Sequence, residues 1–152
     1  MIRKLEWELY RSYECSSRPV LMSPGKPELK SAAPDLYGAH HHAANLQRAV
    51  SQLDSVHRWV VESKYGLLPD ALCHLADYLM TTFELPQSAA QTFILHWLGR
   101  RTGIKLSDLC SVLGVSKPTI SRKCRSICLG LDEINLSALE QILLEYPLEK
   151  AG

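Results

Sequence analysis

The residues best suited to chemistry lie between Lys117 and Arg125, in the run KPTISRKCR. Short hydroxyl side chains are interleaved there with long cations. Hydroxyls and guanidinium groups hydrogen-bond to base edges, and lysine and arginine neutralise phosphates. Such a set suits contact with a polyanion. We assign Lys117, Thr119, Ser121 and Arg122 to base edges or the rim of a groove in double-stranded DNA. Arg100, Arg101, Lys105, Lys123 and Arg125 are assigned to phosphates. From Arg100 to Arg125 the chain carries seven basic residues and one acidic residue, Asp108, a local charge of +6. The whole chain is only +1, so the remainder carries −5. Near-neutrality overall therefore hides a strongly basic segment, and it is the local field that a phosphate backbone meets.

Positioning those side chains requires two helices and a tight turn. Leu106, Leu109, Cys110 and Leu113 recur at helical spacing, giving a short first helix one apolar face. Gly114 follows, where a helix end wants a left-handed backbone free of a Cβ clash. Val115 plugs the corner. Ser116 suits an N-cap, and Pro118 is tolerated in a first turn because its missing N–H had no helical partner. The second helix is expected from about Lys117 to about Leu129, with Ile120, Cys124 and Ile127 inward. This is a helix-turn-helix pattern with a basic second helix. Upstream, Leu85-Pro86-Gln87 opens a leading helix that Gly99 or Gly103 closes.

These residues carry a family resemblance. The run LGVSKPTISR, together with the leading Leu-Pro, resembles the helix-turn-helix of bacterial and phage regulators, in particular the region-4-like module of sigma factors. The resemblance spans roughly residues 85–130. A helical segment followed by such a module near the C-terminus also resembles small phage late-gene regulators and antiterminators. The resemblance implies a sequence-specific DNA-binding transcription regulator, with RNA polymerase as a further partner. Two other classes share the layout: a small terminase subunit, which marks DNA for packaging, and a helical protein-interaction module.

Elsewhere the pattern is helical, and the predicted fold is all-α with roughly six or seven helices. It divides into an N-terminal helix and Pro-rich arm (1–38), a helical segment (39–84) and the helix-turn-helix segment (85–152). Ile2, Leu5 and Leu9 fit a short amphipathic helix over 1–12. Pro19, Pro24, Pro27 and Pro34 break regular structure over 15–38, an arm that could lie on the body through Val20, Leu21 and Met22. Leu46, Val50, Leu53, His57 and Val60 or Val61 predict one long helix from Ala39 to Lys64, ended by Tyr65-Gly66. Its stripe should pack on residues 69–98 or pair with a second copy in a homodimer. Leu72, Leu75, Ala76, Leu79 and Met80 predict a helix over Pro69–Phe83; Ala90, Phe93, Ile94 and Trp97 predict another over Gln87–Leu98. Gly130 is expected to break the chain before a last helix built on Leu136, Leu139, Ile142 and Leu143.

Catalysis is not expected. No phosphate-binding glycine loop occurs, and no motif brings serine, histidine and aspartate together. His40, His41 and His42 invite a metal, but consecutive helical side chains point about 100° apart, so the three cannot face one ion. No cofactor or metal is expected. No apolar run is long enough for a membrane span, and Glu6, Trp7 and Glu8 interrupt a would-be signal sequence. The five cysteines form no paired framework and read as reduced thiols in the cytoplasm.

Overall fold

The computed structural model describes residues 2–17, 41–100 and 105–146, and all regular structure among the described residues is helical. Helix α1 spans Ile2–Ser17 and α2 residues 41–51. Then come α3 (Ser55–Gly66), α4 (Pro69–Phe83) and α5 (Gln87–Trp97). A single 3-10 turn, Leu106–Asp108, leads into α6 (Leu109–Leu113), and α7 runs from Lys117 to Glu145. The expected all-α class therefore holds. The Pro-rich stretch with Val20, Leu21 and Met22 lies outside the described residues.

The apolar spacing that predicts each helix also fixes its buried face. Leu5 and Leu9 of α1 are fully buried. The same face continues through Ser12, whose hydroxyl is buried and donates to the Leu9 carbonyl at 2.8 Å. The helix therefore extends beyond the expected residue 12 and runs to Ser17, into the first residues of the stretch 15–38 expected to be irregular. Pro69 sits in the first turn of α4, and Pro86 is the N-cap of α5. Both are places where a missing N–H carries no penalty.

Two clusters of buried apolar side chains make the core. The first joins Val60 of α3, Leu75, Ala76 and Leu79 of α4, Phe93 and Ile94 of α5, Leu109 of α6, and Ile120, Cys124, Ile127 and Leu131 of α7. The second joins Leu5 and Leu9 of α1, Leu46 and Val50 of α2, Val61 and Tyr65 of α3, and Ala138, Leu139 and Ile142 of α7. Helices α3 and α7 thus serve both clusters.

The structure corrects two further expectations. The helix expected from Ala39 to Lys64 is interrupted at 52–54. There the N–H of Leu53 turns to the Val50 carbonyl at 3.1 Å, tightening the last turn, and Asp54 becomes the extended N-cap of α3. The apolar stripe runs through the interruption because Leu53 is still buried. That stripe is buried within the chain, against α1 and the end of α7. The second correction is at Gly130, which stands inside α7 and does not end it. Burial of Ile127 and Leu131 on one side and of Ala138, Leu139 and Ile142 on the other carries the helix through. The glycine's helical penalty is about 1 kcal/mol, far less than those contacts supply.

Candidate nucleic-acid interface

The turn between α6 and α7 sets the geometry of the basic segment. Gly114 is left-handed, with φ of +66°, and its Cβ position faces open space. Val115 then returns its N–H to the Cys110 carbonyl at 3.1 Å and lies half-buried against the first cluster. Ser116 holds the N-cap position, but its hydroxyl makes no cap bond; it meets the Thr119 hydroxyl at 2.9 Å instead. The Ile120 N–H is the first in the helix to close an intrahelical bond, to Ser116 at 3.0 Å. The N–H groups of Lys117 and Thr119 therefore remain open to solvent at an electropositive helix start.

Ile120, Cys124 and Ile127 are buried, which turns the remaining positions outward. Lys117, Thr119, Ser121, Arg122 and Arg125 are exposed, and Lys123 is half-buried. Arg100 and Lys105 are exposed as well, while Arg101 lies outside the described residues. None of the described cations in this set has an ion-pair partner among the described residues. The local acid, Asp108, accepts the Lys105 backbone N–H at 2.9 Å, so its carboxylate braces the 3-10 turn.

Charge is sorted along α7. From Lys117 to Leu129 the helix carries Lys117, Arg122, Lys123 and Arg125 and no acid; from Gly130 to Glu145 it carries Asp132, Glu133, Glu140 and Glu145 and no base. At 1.5 Å per residue the basic part is about 20 Å long. Between the halves, Asp132 accepts the Trp97 indole N–H at 2.8 Å, tying α7 to α5.

Cys124 and Cys128 of α7 are not poised for reaction. Burial pushes the Cys124 thiol up to about 12, and the neighbouring Cys128 adds to the shift. Burial raises Cys128 too. Both therefore stay protonated at neutral pH, and a thiol is a weak nucleophile.

Periodicity gave no sign of two polar assemblies at the other end of the molecule. The Tyr65 hydroxyl donates to Glu6 Oε1 at 2.8 Å and accepts from Asn135 Nδ2 at 3.0 Å, joining α1, α3 and α7. His42 Nε2 lies 3.0 Å from Glu8 Oε2, and its Nδ1 lies 2.9 Å from the Tyr146 hydroxyl. Asn135 was the one local signal, a polar residue set on the inward stripe of α7. An open groove of about 510 Å³ lies nearby, lined by Tyr10, Tyr13, Glu14, Gln47 and Tyr65 among others. Among the described residues no three histidine, cysteine or carboxylate side chains converge as metal ligands, and no helix is long and apolar enough to cross a membrane. No family model, curated protein or solved structure matches the chain.

Proposed function

We propose that the chain is a sequence-specific DNA-binding transcription regulator. In this reading α5, α6 and α7 act as a region-4-like helix-turn-helix, and the start of α7 enters the major groove. One observation carries the reading. The left-handed turn at Gly114 projects the start of α7 with Lys117, Thr119, Ser121 and Arg122 all exposed and its first N–H groups uncommitted. A helix start of this kind receives a phosphate oxygen while side chains one turn further reach base edges. Arg100, Arg101, Lys105, Lys123 and Arg125 are the phosphate contacts of this reading, and Arg122 is its guanine-reading fork.

The test is selection of bound sequences from random duplex DNA by the purified chain, followed by a salt titration on the enriched site. A recurrent motif is expected. Five phosphate contacts give a slope of log affinity on log salt of about −4.5. No enrichment together with a flat salt dependence would leave a protein-interaction module as the better reading. Assembly into a ring of many subunits would favour a small terminase subunit.

A further inference from the structure

The outer face of α7 is a second surface with a chemistry of its own. Directly opposite the buried stripe, residues three and four apart set Arg122, Arg125, Leu129, Glu133, Leu136 and Glu140 in one line. Leu129 is 54% exposed and Leu136 47% exposed, both large apolar side chains left in water in mid-helix. Leu144, one turn beyond, is 84% exposed. The arginines stand at one end of the line, the glutamates in its middle and at the other end, and none of the four has an ion-pair partner among the described residues. Spacings of three, four, four, three and four keep these six positions on one face of the helix, with Leu129 and Leu136 towards the centre, a strip that a second helix can lie along.

We infer that this face receives the same face of a second copy, running antiparallel across a two-fold axis. The charge order dictates the direction. A parallel pair would set arginine beside arginine and glutamate beside glutamate. An antiparallel pair whose axis passes between Asp132 and Glu133 sets Leu129 against Leu136 of the partner subunit and Arg125 against Glu140 of the partner subunit. Each contact then occurs twice, as an isologous interface requires. Glu133 lies beside the axis, close to the copy's own acids, and opposes the contact. From Arg122 to Leu144 the strip is about 33 Å long. A single line of side chains makes a small contact, so the pairing is expected to be weak and reversible.

The inference stands apart from the DNA-binding reading, although the two intersect at Arg122 and Arg125. If those arginines also meet DNA, a chain paired this way cannot present them, and the dimer is the form off DNA.

Sedimentation equilibrium over a wide range of protein concentration, without nucleic acid, tests the pairing. The parent is expected to associate reversibly, and less so at high salt. Leu136→Glu, at an exposed position, should keep its melting temperature and weaken association about tenfold or more. Arg125→Glu and Glu140→Arg should each weaken it, because each puts like charges together twice. The double variant Arg125→Glu/Glu140→Arg should return it to within about threefold of the parent. Glu133→Gln should tighten it. A parent that stays monomeric throughout would overturn the inference, as would a folded Leu136→Glu variant that pairs like the parent. Failure of the double variant to recover, or weakening by Glu133→Gln, would refute the antiparallel register.

Discussion

Replacing Gly130 with alanine isolates the claim that α7 is one helix. A glycine inside a helix is less favourable than alanine by roughly 0.5–1 kcal/mol, because the unfolded chain has more freedom to lose. Steric offset is absent: a Cβ at this position would meet nothing within 4 Å. The added methyl gains little burial in open space, so the whole effect is the backbone term. Gly130→Ala should therefore stabilise the chain by about 0.5–1 kcal/mol. At this chain length 1 kcal/mol moves Tm by roughly 2–4 °C, so the expected rise is about 1–4 °C. Thermal melts by circular dichroism, with urea unfolding as a second measure, give the answer. The sign is what discriminates. A glycine that ended one helix in a left-handed turn would lose about 1 kcal/mol on the same change. A fall in Tm would thus restore the break at Gly130 and undo the continuous α7.

Gly114→Ala is the opposite case. Its φ of +66° with open space around it leaves only backbone strain, so stability should drop by about 1–2 kcal/mol, and an unchanged melt would deny the turn. On the selected DNA site, Arg122→Ala should weaken binding by about 1–3 kcal/mol and relax preference at one base pair, whereas Lys123→Ala should weaken all sequences alike; competition shifts on matched and mutated duplexes separate the two. Cys124 titrates higher folded than unfolded, so its contribution is complete below the ordinary thiol value of 9.0 and is lost as pH climbs towards about 12. Urea midpoints should accordingly fall above pH 9, and Cys124→Ser should flatten that fall. In alkylation at neutral pH followed by mass spectrometry, exposed Cys73 should be modified well before Cys124.

Helices α4 and α5 were legible in the sequence because local and tertiary signals agree there. Pro69 and Pro86 mark the starts, and the apolar spacing ends where Glu84 and Leu98 leave the helix. The turn at Gly114 was legible for the same reason. The interruption at 52–54 was not, since Leu53 keeps its place on the apolar stripe while the backbone tightens around it. Asp54-Ser55 was the only local hint of a new helix start. Gly130 misled for the converse reason: its propensity argues for a break, and burial on both sides overrules it. The Glu6–Tyr65–Asn135 and Glu8–His42–Tyr146 assemblies join residues far apart in the chain, which no period of 3.6 encodes. Leu136 shows the limit within one helix. It fits the apolar spacing beside Leu139 and Ile142, yet it faces water while they are buried.

The order of charge along α7 is the reverse of what the helix alone would favour. Its first turn holds no acid and its last turn no base. Lys117 stands at the positive end of the dipole and Glu145 at the negative end, each unfavourable by roughly 0.3–1 kcal/mol. Burial of Ile120, Ile127, Leu131, Leu139 and Ile142, at about 1.5–3 kcal/mol each, outweighs this easily. Folding therefore tolerates the arrangement without producing it. An anion brought to the start of α7 reverses the sign there, because it meets Lys117 and the open N–H groups. The acids, held at the other end by a helix with no break, are kept away from it. If Lys117 acts this way, Lys117→Glu should raise the stability of the free chain slightly while weakening its hold on DNA. Thermal melts and binding isotherms on one preparation would read both signs. Loss of stability together with unchanged DNA affinity would refute the argument.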